Sequence, residues 1–478
     1  MIASPCALWR CVDWRWVCRA AAGVAVVIGV VGCTGSADRI VVTGDGPVAG
    51  VLDDGVAAYK GIPFAAPPVG ALRWRPPQPV RPWKAVLAAD SYKPQCMQLG
   101  PPLPTMPVEK SSEDCLYLNL WVPARAAEPG RGRRAVMVFL YGGGFRQGSA
   151  STPLYWGDEL ARHEDVIVVN LAYRVGPLGF LAHPELSAES DRHVSGNYAL
   201  LDMVAGLQWV QHNIAAFGGD PSNVTVFGES AGAWAINKLM ISPLARGLFQ
   251  KAIGESGGDM GPTGTGEGIP VLADAEKVGV AFASSLGAHS IAELRRVSAE
   301  LITAAKFSGL PEVRHYDGAG AIVDGYVIPG DTYALYASGK QADVPLLLGY
   351  NAEEDEKTFR WQVWAWACAH ARTSHSRVYF YRFAGEHSYH GAELPYVFMF
   401  THHSRGWPAA DRQIAETIAA YWTHFAKTGN PNAPGLPSWP PFDDGHELAM
   451  SLGRQFAAGP VPDLREHQDM DAYMNGLR

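Results

Sequence analysis

The pentapeptide Gly-Glu-Ser-small-Gly occurs twice in this chain, as GESAG at 228–232 and as GESGG at 254–258. A serine framed in this way can serve as a nucleophile on a sharp strand-to-helix turn. The turn holds the hydroxyl up at the sheet edge, and the helix N-terminus offers N–H groups to a developing oxyanion. The flanks separate the two copies. NVTVF (223–227) reads as a strand entering Ser230, and AGAWAINKLMI (231–241) reads as a helix leaving it. KAI can bring a strand up to Ser256, but GGDMGPTGTGEG follows, and Gly and Pro at that density cannot start a helix promptly. Ser230 is the candidate nucleophile, with Gly228 and Gly232 expected to relieve crowding around it. Acyl transfer also needs donors for the oxyanion. YGGGF (141–145) follows the apolar run AVMVFL directly, so Gly143 and Gly144 can supply two backbone N–H groups and Ala231 a third.

Such a turn needs strands and helices in alternation. VIVVNLAY (166–173) is a second continuous apolar run, the pattern of a strand buried on both faces. Residues 197–217 have helical periodicity, with Leu200, Val204, Leu207, Val210 and Ile214 on one face. VPLLLGY (344–350) and VYFYRF (378–383) supply late strands, and 409–429 a long helix that stops at Gly429. The expected fold class is α/β, a mostly parallel central sheet flanked by helices.

With 478 residues, 47% of them apolar, the chain can bury one large core, and its net charge of −8 argues against a nucleic-acid partner. The first residues differ from the rest. Arg10, Arg15 and Arg19 precede the apolar run Ala20–Val31, too short to span a bilayer but suited to an export signal. The run ends in VVGCTG, which is similar to a bacterial lipobox with Cys33 as the lipidated residue; an ordinary cleavage near Gly32–Gly35 is the other reading. Residues 1–33 are thus expected to be an export signal, 34–39 a short linker and 40–478 the enzyme domain. The protein is expected in the cell envelope, attached to a membrane surface through Cys33, or secreted. Cys96 and Cys115 enclose a polar Pro- and Ser-rich loop and are expected to pair as a disulfide in an oxidising compartment, while Cys368 reads as a buried small hydrophobe.

Taken in order, the motifs resemble the type B carboxylesterase family, the α/β-hydrolase branch that includes cholinesterases. SEDCLYLNLWVP (112–123) is similar to its acidic-Cys-Leu signature, and FGGDPSNVTVFGESAG (217–232) to its nucleophile signature. NLAYRVGPLGFL (170–181), residues 196–221 and FAKTGNPN (425–432) resemble further blocks. The resemblance implies an α/β-hydrolase fold and a serine hydrolase of carboxylic esters; the sequence shows no metal-ligand spacing or phosphate-cradling loop, so no metal or cofactor is expected. It also implies the remaining residues. GYNAEED (349–355) is similar to the family's acid pattern and places Glu354 at the acid, although Glu353 stands where Asp is usual and Asp355 replaces a Gly. YHGAELPYVF (389–398) resembles the histidine block and assigns His390 as the base. Ser256 falls where relatives keep a buried serine beside the triad.

Two departures from the family shape the expectation. Only residues 355–389 separate Glu354 from His390, where relatives usually carry several helices walling the active-site gorge. TFRWQVWAWACAHART (358–373) can still supply a crossover helix. The expected result is an open, shallow pocket for short to medium acyl chains, with the face of Trp361, Trp364 and Trp366 partly uncovered. The competing reading is a deletion that impairs folding or activity, or a non-enzymatic binding or adhesion member of the same fold. The Cys96–Cys115 loop has no aromatic residue to hold a quaternary ammonium, so a choline ester is not the expected substrate.

Overall fold

In the computed structural model, the described residues are 39–100, 110–126, 132–354, 357–403, 406–443 and 445–478. The export segment, Cys33 and most of the linker fall outside them. Arg134–Leu140 and Ile167–Leu171 are buried at every position, as strands covered on both faces must be. They belong to one thirteen-stranded sheet. Its parallel middle runs, in spatial order, Ile167–Leu171, Arg134–Leu140, Gly219–Glu229, Lys251–Glu255, Leu346–Asn351, Val378–Ala384 and Leu448–Gly453. Antiparallel strands finish both sides, with Tyr117–Pro123, Val56–Pro63, Pro47–Asp53 and Arg39–Val42 at one edge and Ala457–Pro460 at the other. This is the α/β-hydrolase arrangement that the order of motifs implies.

Helices cover both faces of the sheet, and several are deeper than their sequence pattern suggests. The helix Tyr198–Asn213 buries Leu200, Val204, Leu207 and Val210 as expected, but also Asp202, Met203, Gly206 and Trp209. Its buried Asp202 is tolerated because Arg174 meets it at 2.7 Å, pairing the charge. The closing helix Ala409–Thr428 stops where Gly429 turns left-handed.

The short stretch after Glu354 is a complete parallel crossover: Leu346–Asn351, the helix Lys357–Thr373, then Val378–Ala384. One expectation fails here. Trp361, Trp364 and Trp366 are at most 4% exposed. The last helix, Leu464–Leu477, covers the face: Trp364 stacks on His467 with centroids 5.6 Å apart and donates its indole N–H to Glu447 at 2.7 Å. On the other flank Tyr336 of the helix Thr332–Ala337 meets Trp366 edge-on. An apolar area of that size is driven out of water once neighbouring helices can reach it.

Cys96 and Cys115 form a disulfide, and Cys368 is buried and outside any disulfide. Among the described residues no helix is long and apolar enough to cross a membrane. Closing a loop of separation 19 restricts the unfolded chain, so replacing both cysteines by Ala should cost about 3 kcal/mol in the chain-entropy model. Denaturant unfolding of the two proteins checks this; equal midpoints would show that the bond contributes nothing.

Candidate active site

The strand Gly219–Glu229 reverses into the helix Ala231–Ile241 through the single residue Ser230. Ser230 is held at φ 54° and ψ −120°, backbone space that costs a side-chain-bearing residue roughly 1–3 kcal/mol. Its N–H donates to the Glu255 carbonyl at 2.8 Å, and its own carbonyl accepts from the N–H of Trp234 at 3.0 Å. The glycines are there because the backbones touch. A Cβ on Gly232 would lie 1.9 Å from the Leu140 carbonyl oxygen, and one on Gly228 would lie 2.6 Å from the same atom.

The second pentapeptide lies beside the first, with Gly228 paired to Gly254 and Glu229 to Glu255 in parallel register. Ser256 also has positive φ, 51°, and passes its N–H to the next strand at Gly349. Access separates the two serines. Ser256 is fully buried with its hydroxyl donating to Glu393 at 3.3 Å, whereas Ser230 is partly exposed. Gly257 of the second motif also serves the first, since a Cβ there would sit 2.3 Å from the Ser230 carbonyl oxygen.

The tri-glycine run packs against this elbow. A Cβ on Gly142 would fall 3.0 Å from that of Ser230, and Gly143 and Gly144 adopt φ of +107° and +63°. Among the described residues, the N–H groups of Gly143 and Gly144 donate to nothing. Ala231 opens the elbow helix, where an N–H has no intrahelical acceptor.

His390 lies in the loop after Val378–Ala384, with its Nδ1 3.2 Å from Glu354 Oε1. The structure therefore brings Glu354 to the imidazole. Glu353 instead accepts the Ser388 N–H at 3.4 Å, and Asp355 and Glu356 lie outside the described residues. The neighbouring histidines turn elsewhere, His402 to Glu416 and His403 to Asp158. Sequence reasoning missed the partner of Nε2, which is Glu229 Oε1 at 3.2 Å. Among the described residues no hydrogen bond joins Nε2 to Ser230 Oγ. Sequence reasoning also missed Glu393, fully buried, which accepts from Ser256 and from Asn351. The available signals were weak: Glu229 is inside the pentapeptide, and Glu393 is three residues from His390.

These carboxylates set the electrostatics. Burial disfavours a charged imidazole, but the Glu354 hydrogen bond and the charges of Glu229, Glu354 and Glu393 outweigh it and raise His390 to about 9. Burial also raises Glu229, with His390 opposing and Glu393 and Glu354 adding repulsion. Phe359, at the start of the crossover helix, packs on the His390 ring at 5.4 Å and stacks on Trp234 at 5.7 Å. A strained hydroxyl, unpaired backbone donors and an imidazole backed by a buried carboxylate are the parts that acyl transfer through a serine requires.

The model of the carboxylesterase family matches residues 37–365 and 355–469, and the two segments meet inside the shortened stretch between Glu354 and His390. The chain is 37% identical over 485 residues to a fumonisin B1 esterase of Sphingopyxis macrogoltabida, covering 87% of each chain. It is 33% identical over 501 residues to a para-nitrobenzyl esterase of Bacillus subtilis (strain 168), covering 90% of this chain and 98% of the relative. The solved structure of a thermophilic PNB esterase superposes with a TM-score of 0.79 at 31% identity, covering 91% of this chain and all of the other.

The contact between His390 and Glu229 has a direct consequence. By NMR, the His390 ring should titrate above the usual histidine range, toward about 9. Glu229→Gln removes a charge that favours the protonated ring, so it should lower that value by about one pH unit or more. An unchanged titration would show that Glu229 does not face the ring in solution.

Proposed function

Because the chain belongs to the carboxylesterase family and is a carboxylic-ester hydrolase, we propose that it works through an acyl-enzyme on Ser230. Ser230 Oγ attacks the ester carbonyl while His390 Nε2 takes its proton. The N–H groups of Gly143, Gly144 and Ala231 stabilise the oxyanion, and His390 returns the proton to the departing alcohol. Water, activated by the same ring, then releases the acid. Glu354 fixes Nδ1–H and supports the charge that the ring acquires. No step calls on a metal or cofactor.

The observation that carries this reading is the strained Ser230 elbow together with an imidazole whose Nδ1 meets the buried Glu354 at 3.2 Å. In the resting arrangement Glu229 holds Nε2, so turnover requires the ring to leave Glu229 and engage Ser230. For the same reason the base must lose a proton that the carboxylates favour, and kcat/KM should rise with pH through a value above the ordinary histidine range. We also propose, on the VVGCTG segment, that the chain is exported and lipidated at Cys33.

The acyl group is proposed to be short to medium in length. A cavity of about 350 Å³ lies against Gly144, Phe145 and Trp234, and the ion pair of Lys238 with Asp259 lies in its lining. Each buried methylene is worth about 0.8 kcal/mol, close to fourfold in rate, until the chain meets those charges. In an aryl ester series kcat/KM should therefore climb over the first few carbons and fall beyond roughly C6; a steady climb to C12 would contradict this pocket.

Replacing Ser230 by Ala should lower kcat by roughly 10³-fold or more, as loss of a triad member does. Ser256→Ala should keep most turnover and lose stability, since its buried hydroxyl only supports Glu393. The reverse pattern would move the nucleophile to Ser256.

A further inference from the structure

The outermost strand of the sheet, Arg39–Val42, turns apolar side chains outward. Ile40 is 57% exposed and Val42 72%, where an edge strand facing water usually carries charge. The register shows that these two are not isolated. Ile40 pairs with Ala49 and Val42 with Pro47 on the neighbouring strand Pro47–Asp53, and Ala49 pairs on its other side with Ala88 of the short strand Leu87–Ala88. Directly paired residues share a face, and so do residues two apart along a strand. Val86, two residues before Ala88 and 49% exposed, continues the same face. Ile40, Val42, Pro47, Ala49, Val86 and Ala88 thus form one apolar surface across three segments, while Val48 and Gly50 point the other way and are buried. A contiguous exposed patch of this kind marks a contact surface.

What covers this face follows from the chain before it. With lipid on Cys33, only residues 34–38 separate the anchor from Arg39. Six fully extended residue steps reach about 20 Å. A compact domain of about 440 residues has a radius of gyration near 22 Å, so the tether is no longer than the domain's own radius and keeps the edge bearing Arg39 at the bilayer. The charge beside the patch suits that neighbour. The loop PVRPWKAVLAA (79–89) has no acidic residue, and its Arg81 and Lys84 are exposed. Trp83 fastens this loop to the strand Pro47–Asp53, donating its indole N–H to the Pro47 carbonyl at 2.9 Å and its backbone N–H to that of Asp45 at 2.8 Å. Apolar side chains flanked by basic ones are what an anionic lipid surface binds.

We propose, resting on the lipidation of Cys33, that this face lies on the headgroup layer of an anionic membrane. The anchor then holds the enzyme by a defined edge of its sheet instead of leaving it to swing on the tether. The short tether makes the second contact effectively intramolecular, so a face too small to hold vesicles by itself is enough.

The test uses the full chain, expressed with its own leader and reconstituted in phosphatidylethanolamine–phosphatidylglycerol vesicles, with an environment-sensitive fluorophore on Val86→Cys. Other cysteines of the domain do not compete, since Cys96 and Cys115 are bonded and Cys368 is buried. Mass spectrometry of the peptide holding Cys33 reads the lipid. The emission should shift to the blue and lose roughly half or more of its intensity to phospholipid nitroxides near the top of the acyl chains, as for a face buried about 5–10 Å. The same fluorophore on Leu301→Cys, 59% exposed on the helix Ala299–Ala304, should stay water-like and open to iodide. Ile40→Asp with Val42→Asp should return the Val86 signal to that of the Leu301 site, while turnover of a soluble ester reports the intact fold. Lipid on Cys33 with a Val86 fluorophore open to iodide overturns the docking and leaves the anchor, as does equal nitroxide quenching at both sites. Protection from iodide without nitroxide quenching would assign the face to a second copy of the chain and overturns the docking too. A processed N-terminus without lipid overturns the anchor, and the docking with it.

Discussion

The site depends on how closely the backbone packs around Ser230. Leu140 and the elbow residues Gly228 and Gly232 approach so tightly that no side chain fits between them, and Gly257, just past the end of the next strand, presses on the Ser230 carbonyl. Those contacts over-determine the turn, which is how a residue can be kept at an unfavourable φ and ψ without relaxing. The parallel register completes the frame, because pairing Glu229 with Glu255 puts the Glu255 carbonyl under the Ser230 N–H. One hydroxyl is thereby raised toward solvent while its twin on the next strand is sealed in.

Around that fixed point the protein gathers acidic groups. Glu229, Glu255 and Glu393 are all at least nine-tenths buried, and burial raises each of them. Several carboxylates in one dry region cannot all ionise without strong repulsion, so they share protons and favour a positive imidazole among them. This suits a reaction in which the ring becomes cationic at the transition state, and it burdens the resting enzyme with a ring that prefers to be charged already. The Glu229 contact on Nε2 is the structural form of that tension.

The residues near the nucleophile were legible because their constraints are local. A buried strand, a helix-forming run and glycines at fixed offsets identify Ser230 from a dozen residues. Choosing His390 over His402 and His403 required the resemblance of a whole block, since an isolated histidine carries no such local frame. Contacts made by distant segments were not legible. The tryptophan face of the crossover helix is covered by Leu464–Leu477, more than ninety residues downstream, and no periodicity within the helix announces that partner. The turn of Glu229 toward His390 likewise depends on where a loop returns across the sheet.

The central claim is that one of two matched serines carries the acyl group. It is tested most directly by mixing the enzyme with an excess of p-nitrophenyl ester, quenching in acid during the first turnover and mapping the acylated peptide by mass spectrometry. A stoichiometric acyl adduct on Ser230, with none on Ser256, is the expected result. An adduct on Ser256, or a burst of nitrophenol with no covalent adduct on either serine, would contradict it.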